Sequence, residues 1–107
     1  MIKLKKLLER KATKKEMVAL LPKVLSDMKK VKHSDKDYEA GMKSAIELFE
    51  KTFHNITVNT FDDAMKKYTT ELYDMRKGAK EKNIAEWSAL DDAKNILERY
   101  FTFGMYY

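Results

Sequence analysis

The sequence predicts an all-α fold, a compact antiparallel bundle of four main helices preceded by a short basic one, and three observations carry that expectation. Glycine and proline are scarce, with three and one in 107 residues, while Lys, Glu, Met, Leu and Ala abound. Turn formers are thus rare and helix formers plentiful. Apolar residues recur at alternating spacings of three and four, which places them on one side of a helix. Polar cap signals precede the main stretches. At 44% hydrophobic and 36% charged, a chain of this length has room for one domain, residues 1–107, with a single core under a densely charged surface.

Each element follows from local pattern. From Ile2 to Lys11 the residues Leu4, Leu7, Leu8 and Lys11 share a face, the mark of a short basic amphipathic helix. Thr13-Lys14-Lys15-Glu16 has the form of a capping box, in which hydroxyl and carboxylate each satisfy a free N–H at a helix start. The next stripe runs Met17, Leu21, Val24, Met28, Val31, broadened by Val18 and Leu25. Its phase survives across Pro22, so it is read as one helix kinked near Leu21 or as two short helices sharing a face.

Ser34-Asp35-Lys36-Asp37 starts a helix whose stripe is Tyr38, Met42, Ala45, Ile46, Phe49 and Phe53. Asn55 to Asn59 interposes β-branched residues between asparagines and reads as an extended connection. Thr60-Phe61-Asp62-Asp63 opens the most regular stripe, Phe61, Met65, Tyr68, Leu72, Met75 and Ala79, with Gly78 and the polar run from Lys80 to Asn83 near its end. The last helix is capped by Asn83 or by Ser88 and turns Leu90, Ala93, Leu97, Tyr100 and Phe101 inward. Short connections between such helices favour antiparallel neighbours.

The charge is lopsided. Residues 1–32 carry a net +8 and residues 33–107 a net −3, giving +5 overall. Lys3, Lys5, Lys6, Arg10, Lys11, Lys14 and Lys15 form the basic end, suited to an acidic protein surface or to phosphates. Lysine outnumbers arginine 19 to 3, and lysine is a point charge where base edges are usually read by Arg, Asn or Gln, so nucleic-acid binding would be confined to the backbone. The plainer alternative is a solvated lysine-rich face. A second signal is the C-terminus, where Tyr100, Phe101, Phe103, Tyr106 and Tyr107 crowd five aromatics into eight residues. These either dock back over the bundle end or offer large amphipathic contacts to a partner, a homodimer seam included.

Convergent catalytic groups are missing. Only His33 and His54 occur, without cysteine, and neither has the spacing of a zinc site or of the Glu-x-x-His pairs of di-iron bundles. Asp62 with Asp63, and Asp91 with Asp92, read as first-turn carboxylates answering the helix dipole. No Gly-rich phosphate loop is present. Trp87 reads as a core or hinge anchor. The lack of cysteine suits a reducing cytoplasm, and neither a signal peptide nor an 18-residue apolar span can be drawn.

The sequence thus points to a non-enzymatic helical protein without metal or cofactor, with one basic and one aromatic end. Its expected role is to bind a protein as inhibitor, adaptor or regulator, of the phage or mobile-element kind. The alternatives are a sequence-nonspecific DNA or RNA binder and a small basic bundle of the bacteriocin-immunity kind, the latter sharing size and class only.

Overall fold

The computed structural model describes residues 13–101 and the backbone of Lys3, Leu4 and Thr102. Four helices pack against each other: α1 (Lys14–Lys29), α2 (Lys36–Thr52), α3 (Phe61–Lys80) and α4 (Ile84–Glu98). An all-α bundle is therefore the observed architecture.

The capping box at Thr13 is complete. Its hydroxyl accepts from the Glu16 N–H at 3.1 Å, and the Glu16 carboxylate accepts from the Thr13 N–H at 3.1 Å. Helix α1 runs unbroken through Pro22, so one helix, not two, carries the stripe. Pro22 has no N–H to donate to the Val18 carbonyl one turn earlier. At α2 the cap is Asp35, whose carboxylate accepts from the N–H groups of Asp37 and Tyr38. Of the two start signals for α4, Asn83 is the one used, its side-chain oxygen accepting from the Glu86 N–H at 3.2 Å; Ser88 lies within the helix.

Helix α3 ends at Lys80, within the stretch from Gly78 to Asn83 expected to close it. Other expectations are corrected. The connection over 53–60 is made largely of turns, with Asn55 left-handed at φ 55°, a conformation Asn tolerates because its short polar side chain bonds locally. Helix α4 stops at Glu98, so Phe101 is buried from an extended segment and not from a helix face. At the other end of the chain Lys3–Leu4 forms strand β1, which pairs antiparallel with β2 (Phe101–Thr102), Lys3 opposite Thr102 and Leu4 opposite Phe101. The helix expected over Ile2 to Lys11 is therefore extended at those two residues, and the remainder lies outside the described residues.

Helix α4 is the shared element, touching α1, α2 and α3 and meeting α2 most extensively. Small residues permit this. Ala45, Ala89 and Ala93 are wholly buried, and Gly41 lies so close to α4 that a Cβ there would sit 2.9 Å from the Glu86 carbonyl oxygen and 3.0 Å from the Ala89 Cβ. Around this contact the core gathers Val24 and Met28 of α1, Phe49 of α2, Phe61, Met65 and Tyr68 of α3, and Leu90 and Leu97 of α4. The Tyr68 hydroxyl donates to the Ala45 carbonyl at 3.2 Å, so the largest fully buried side chain keeps its polar atom paired.

Candidate functional site

Between α1 and α2 the described residues leave a gap. Val18, Leu21, Pro22 and Leu25 of α1 face Phe49, Glu50 and Phe53 of α2, with Ile56 closing one end, across an open apolar groove of about 390 Å³. The broadened α1 stripe explains it. Met17, Leu21, Val24 and Met28 are buried in the core, whereas Val18 and Leu25, one step round the helix, are only half-buried. They form the wall of a cleft that the bundle itself does not fill.

A second hollow of about 250 Å³ lies between the other halves of the same helices. Met28, Val31, Met42 and Ile46 supply its apolar part, and Lys29, Lys32, His33 and Lys43 outnumber Glu39 around it. Lys29 reaches across to Glu50 at 3.2 Å, an ion pair whose partners are about half exposed. Lys32 and Lys43 have no ion pair. His33 stacks on Tyr38 with ring centroids 4.1 Å apart, and its Nδ1 accepts from the Asp35 N–H at 3.1 Å.

The acids of α1 are already engaged. Glu16 closes the capping box, and Asp27 accepts a hydrogen bond from the Tyr100 hydroxyl. The charge left unneutralised on α1 and just beyond it is cationic: Lys15 of the helix and Lys30 and Lys32 after its end are exposed without ion pairs, and Lys23 lies 5.9 Å from the centre of the Tyr100 ring.

Two tyrosine–carboxylate pairs brace the bundle. Tyr38 donates to Asp92 of α4 at 2.6 Å, and Tyr100 to Asp27. Burial, then the hydrogen bond and charge of Asp92, push the Tyr38 phenol well above its ordinary range, and the bond to Asp27 does most to raise Tyr100. Both phenols are held protonated at neutral pH, the reverse of an activated base or nucleophile. Arg76 meets Asp91 at 3.1 Å, with its Nε buried and unpaired. Among the described residues no three His, Asp or Glu side chains converge as metal ligands, and no helix is long and apolar enough to cross a membrane.

Of the basic residues singled out in the sequence, Lys14 pairs with Asp62 at the start of α3, and Lys15 projects freely from α1. Lys3 belongs by its backbone to β1. Lys5, Lys6, Arg10, Lys11, Phe103, Tyr106 and Tyr107 lie outside the described residues. The β1–β2 pairing nonetheless corrects one expectation: the basic and aromatic segments are not opposite ends of a scaffold, since Lys3–Leu4 and Phe101–Thr102 are hydrogen-bonded neighbours. The groove residues Val18, Pro22, Leu25, Phe53 and Ile56 were not anticipated as a site. Their signal was the excess width of the α1 stripe, more apolar surface than one buried face requires. Compared with protein-family models, with curated proteins and with solved structures, the chain matches none.

Proposed function

We propose that this is a non-enzymatic protein-binding module, an inhibitor, adaptor or regulator of the kind phages and other mobile elements carry, acting in the cytoplasm. The observation that carries the reading is the open apolar groove between α1 and α2, with the unpaired Lys32 and Lys43 lining the second hollow between the same pair of helices. Apolar clefts of this size on a small domain are how helical bundles receive partner elements, and a rim of one charge steers the encounter. The one ionisable side chain lining the cleft, Glu50, is paired with Lys29, which favours binding over catalysis as the role of the cleft.

A second reading has one observation in its favour. The β1–β2 pairing sets Lys3–Leu4 beside Phe101–Thr102, and the lysines that follow the first and the aromatics that follow the second in sequence are a composition that suits single-stranded nucleic acid. Affinity capture of the full chain with cross-linking and mass spectrometry tests the first reading; a specific protein partner, lost when Val18 and Leu25 are changed to Asp, is the expected result. Gel shifts with duplex and single strands at low and moderate salt test the second. Retardation abolished by changing Lys5, Lys6, Arg10 and Lys11 to Glu, with no protein captured, would replace the first reading by it.

A further inference from the structure

The line of residues along the outer edge of α1 runs Lys15, Val18, Pro22, Leu25, Lys29, and Lys32 follows three residues beyond the end of the helix. Within the helix the spacing is three, four, three, four, so this edge is apolar in its middle with a lysine at each end. Across from it α2 presents Ile46, Glu50 and Phe53, of which the one charge, Glu50, is already paired with Lys29. The polar demand left over therefore sits at the two extremities, at Lys15 on one side and at Lys32 with Lys43 on the other. From Lys15 to Lys29 the helix rises about 21 Å, and an apolar stripe of this kind matches the i, i+3/i+4, i+7 anchors of a docked helix.

Building on the protein-binding reading, we infer that the groove seats one amphipathic helix whose apolar stripe is bounded by carboxylates at both ends. The apolar stripe of that helix lies against Val18, Leu25, Phe49 and Phe53, completing the layer that α1 and α2 leave open. Its terminal Asp or Glu residues meet Lys15 at one end and Lys32 with Lys43 at the other. An extended strand does not fit as well, because neither α1 nor α2 has an open row of backbone groups to pair with it. A basic helix is rejected by the same lysines.

The test uses the full chain and two labelled peptides of about 18 residues, identical in their Leu/Ile stripe, one ending in Glu pairs and the other in Lys pairs. Fluorescence anisotropy at low salt is expected to show the acid-ended peptide binding at least tenfold tighter, with that advantage shrinking as salt is added. Lys15 and Lys32 are exposed and unpaired, so the double variant Lys15→Glu/Lys32→Glu keeps the fold and is expected to invert the preference. Equal binding of the two peptides, or a preference unmoved by the double reversal, overturns the inference. So does an absence of binding by either. A photo-crosslinker in place of Ser26 then separates this failure from that of the broader reading: capture of another protein in the native host keeps a protein-binding role with a different partner chemistry. Cross-links only to residues 1–12 or 103–107 of the same chain, or only to a second copy, remove both.

Discussion

Replacing Gly41 by Ala sets two opposed effects against each other, and the geometry decides between them. In a helix interior Ala is favoured over Gly by about 0.8–1.0 kcal/mol. At Gly41, however, the added methyl would lie 2.9 Å from the Glu86 carbonyl oxygen and 3.0 Å from the Ala89 Cβ. The first of these is backbone and cannot rotate away, so α2 and α4 must separate along their largest interface. Overpacking of this kind costs about 1–3 kcal/mol. The net expectation is a loss of about 1 kcal/mol, or about 4–8 °C in Tm for a domain near this size. Gly78 supplies the control within the same protein. It is helical and exposed, and nothing lies within 4 Å of where its Cβ would be, so Gly78→Ala is expected to raise stability by about 0.5–1 kcal/mol. Urea and thermal unfolding of both variants, followed by circular dichroism, measure the contrast. Ala89→Gly added to Gly41→Ala should restore little, because the carbonyl contact remains. If Gly41→Ala is as stable as the parent, or if the two alanine variants shift in the same direction, the close α2–α4 contact is not the constraint described.

Three other outcomes are expected. Because the folded state holds the Tyr38 phenol above its ordinary value of 10.0, its contribution is fully present below about pH 10 and is lost as the pH rises beyond it toward the folded value; Tyr100 adds the same sign. Alkaline Tm measurements should show that decline in the parent and a flatter curve in Tyr38→Phe/Tyr100→Phe, and identical slopes would refute the assignment. Phe101→Ala should cost about 3–5 kcal/mol, since the ring is wholly buried and meets Phe61 edge-on at 6.1 Å; a loss below about 1 kcal/mol in denaturant titration would place Phe101 outside the core. Pro22→Ala restores the missing helical hydrogen bond on an exposed position and is expected to stabilise by about 1–3 kcal/mol, a rise in Tm that a calorimetric scan would register or deny.

Local chemistry made most of the bundle legible. Thr13 and Glu16 announce the start of α1 because both halves of a capping box lie within four residues. Phe61, Met65, Tyr68, Leu72 and Ala79 are all buried because a three-four spacing leaves a helix no other face to hide. What was not legible depends on residues far apart in sequence. Leu4 fits a helical stripe and a strand equally well, and its pairing with Phe101 is set by contacts almost a hundred residues away. Gly41 reads locally as a helix weakness; only the proximity of Glu86 and Ala89 makes it a requirement of packing. Asn83 and Ser88 are comparable caps, and the choice of Asn83 extends α4 by enough to half-bury Ala85 and Trp87 against the core. The groove escaped notice for a related reason: Val18 and Leu25 widen the α1 stripe in sequence, but whether a widened stripe is covered depends on how far the neighbouring helix stands off.

The position of α4 also sets the order in which the molecule can assemble. It follows the other three described helices in chain order and is the one on which they lean, α2 most of all. Until it leaves the ribosome, the close-packed faces of Gly41 and Ala45 have nothing to receive them, and Tyr38 waits for a carboxylate 54 residues downstream. The earlier helices can flicker into shape as they emerge, but the cooperative core waits for α4. During that interval the apolar surface meant for α4 stands exposed, so the nascent bundle is most vulnerable to aggregation and proteolysis just before α4 arrives.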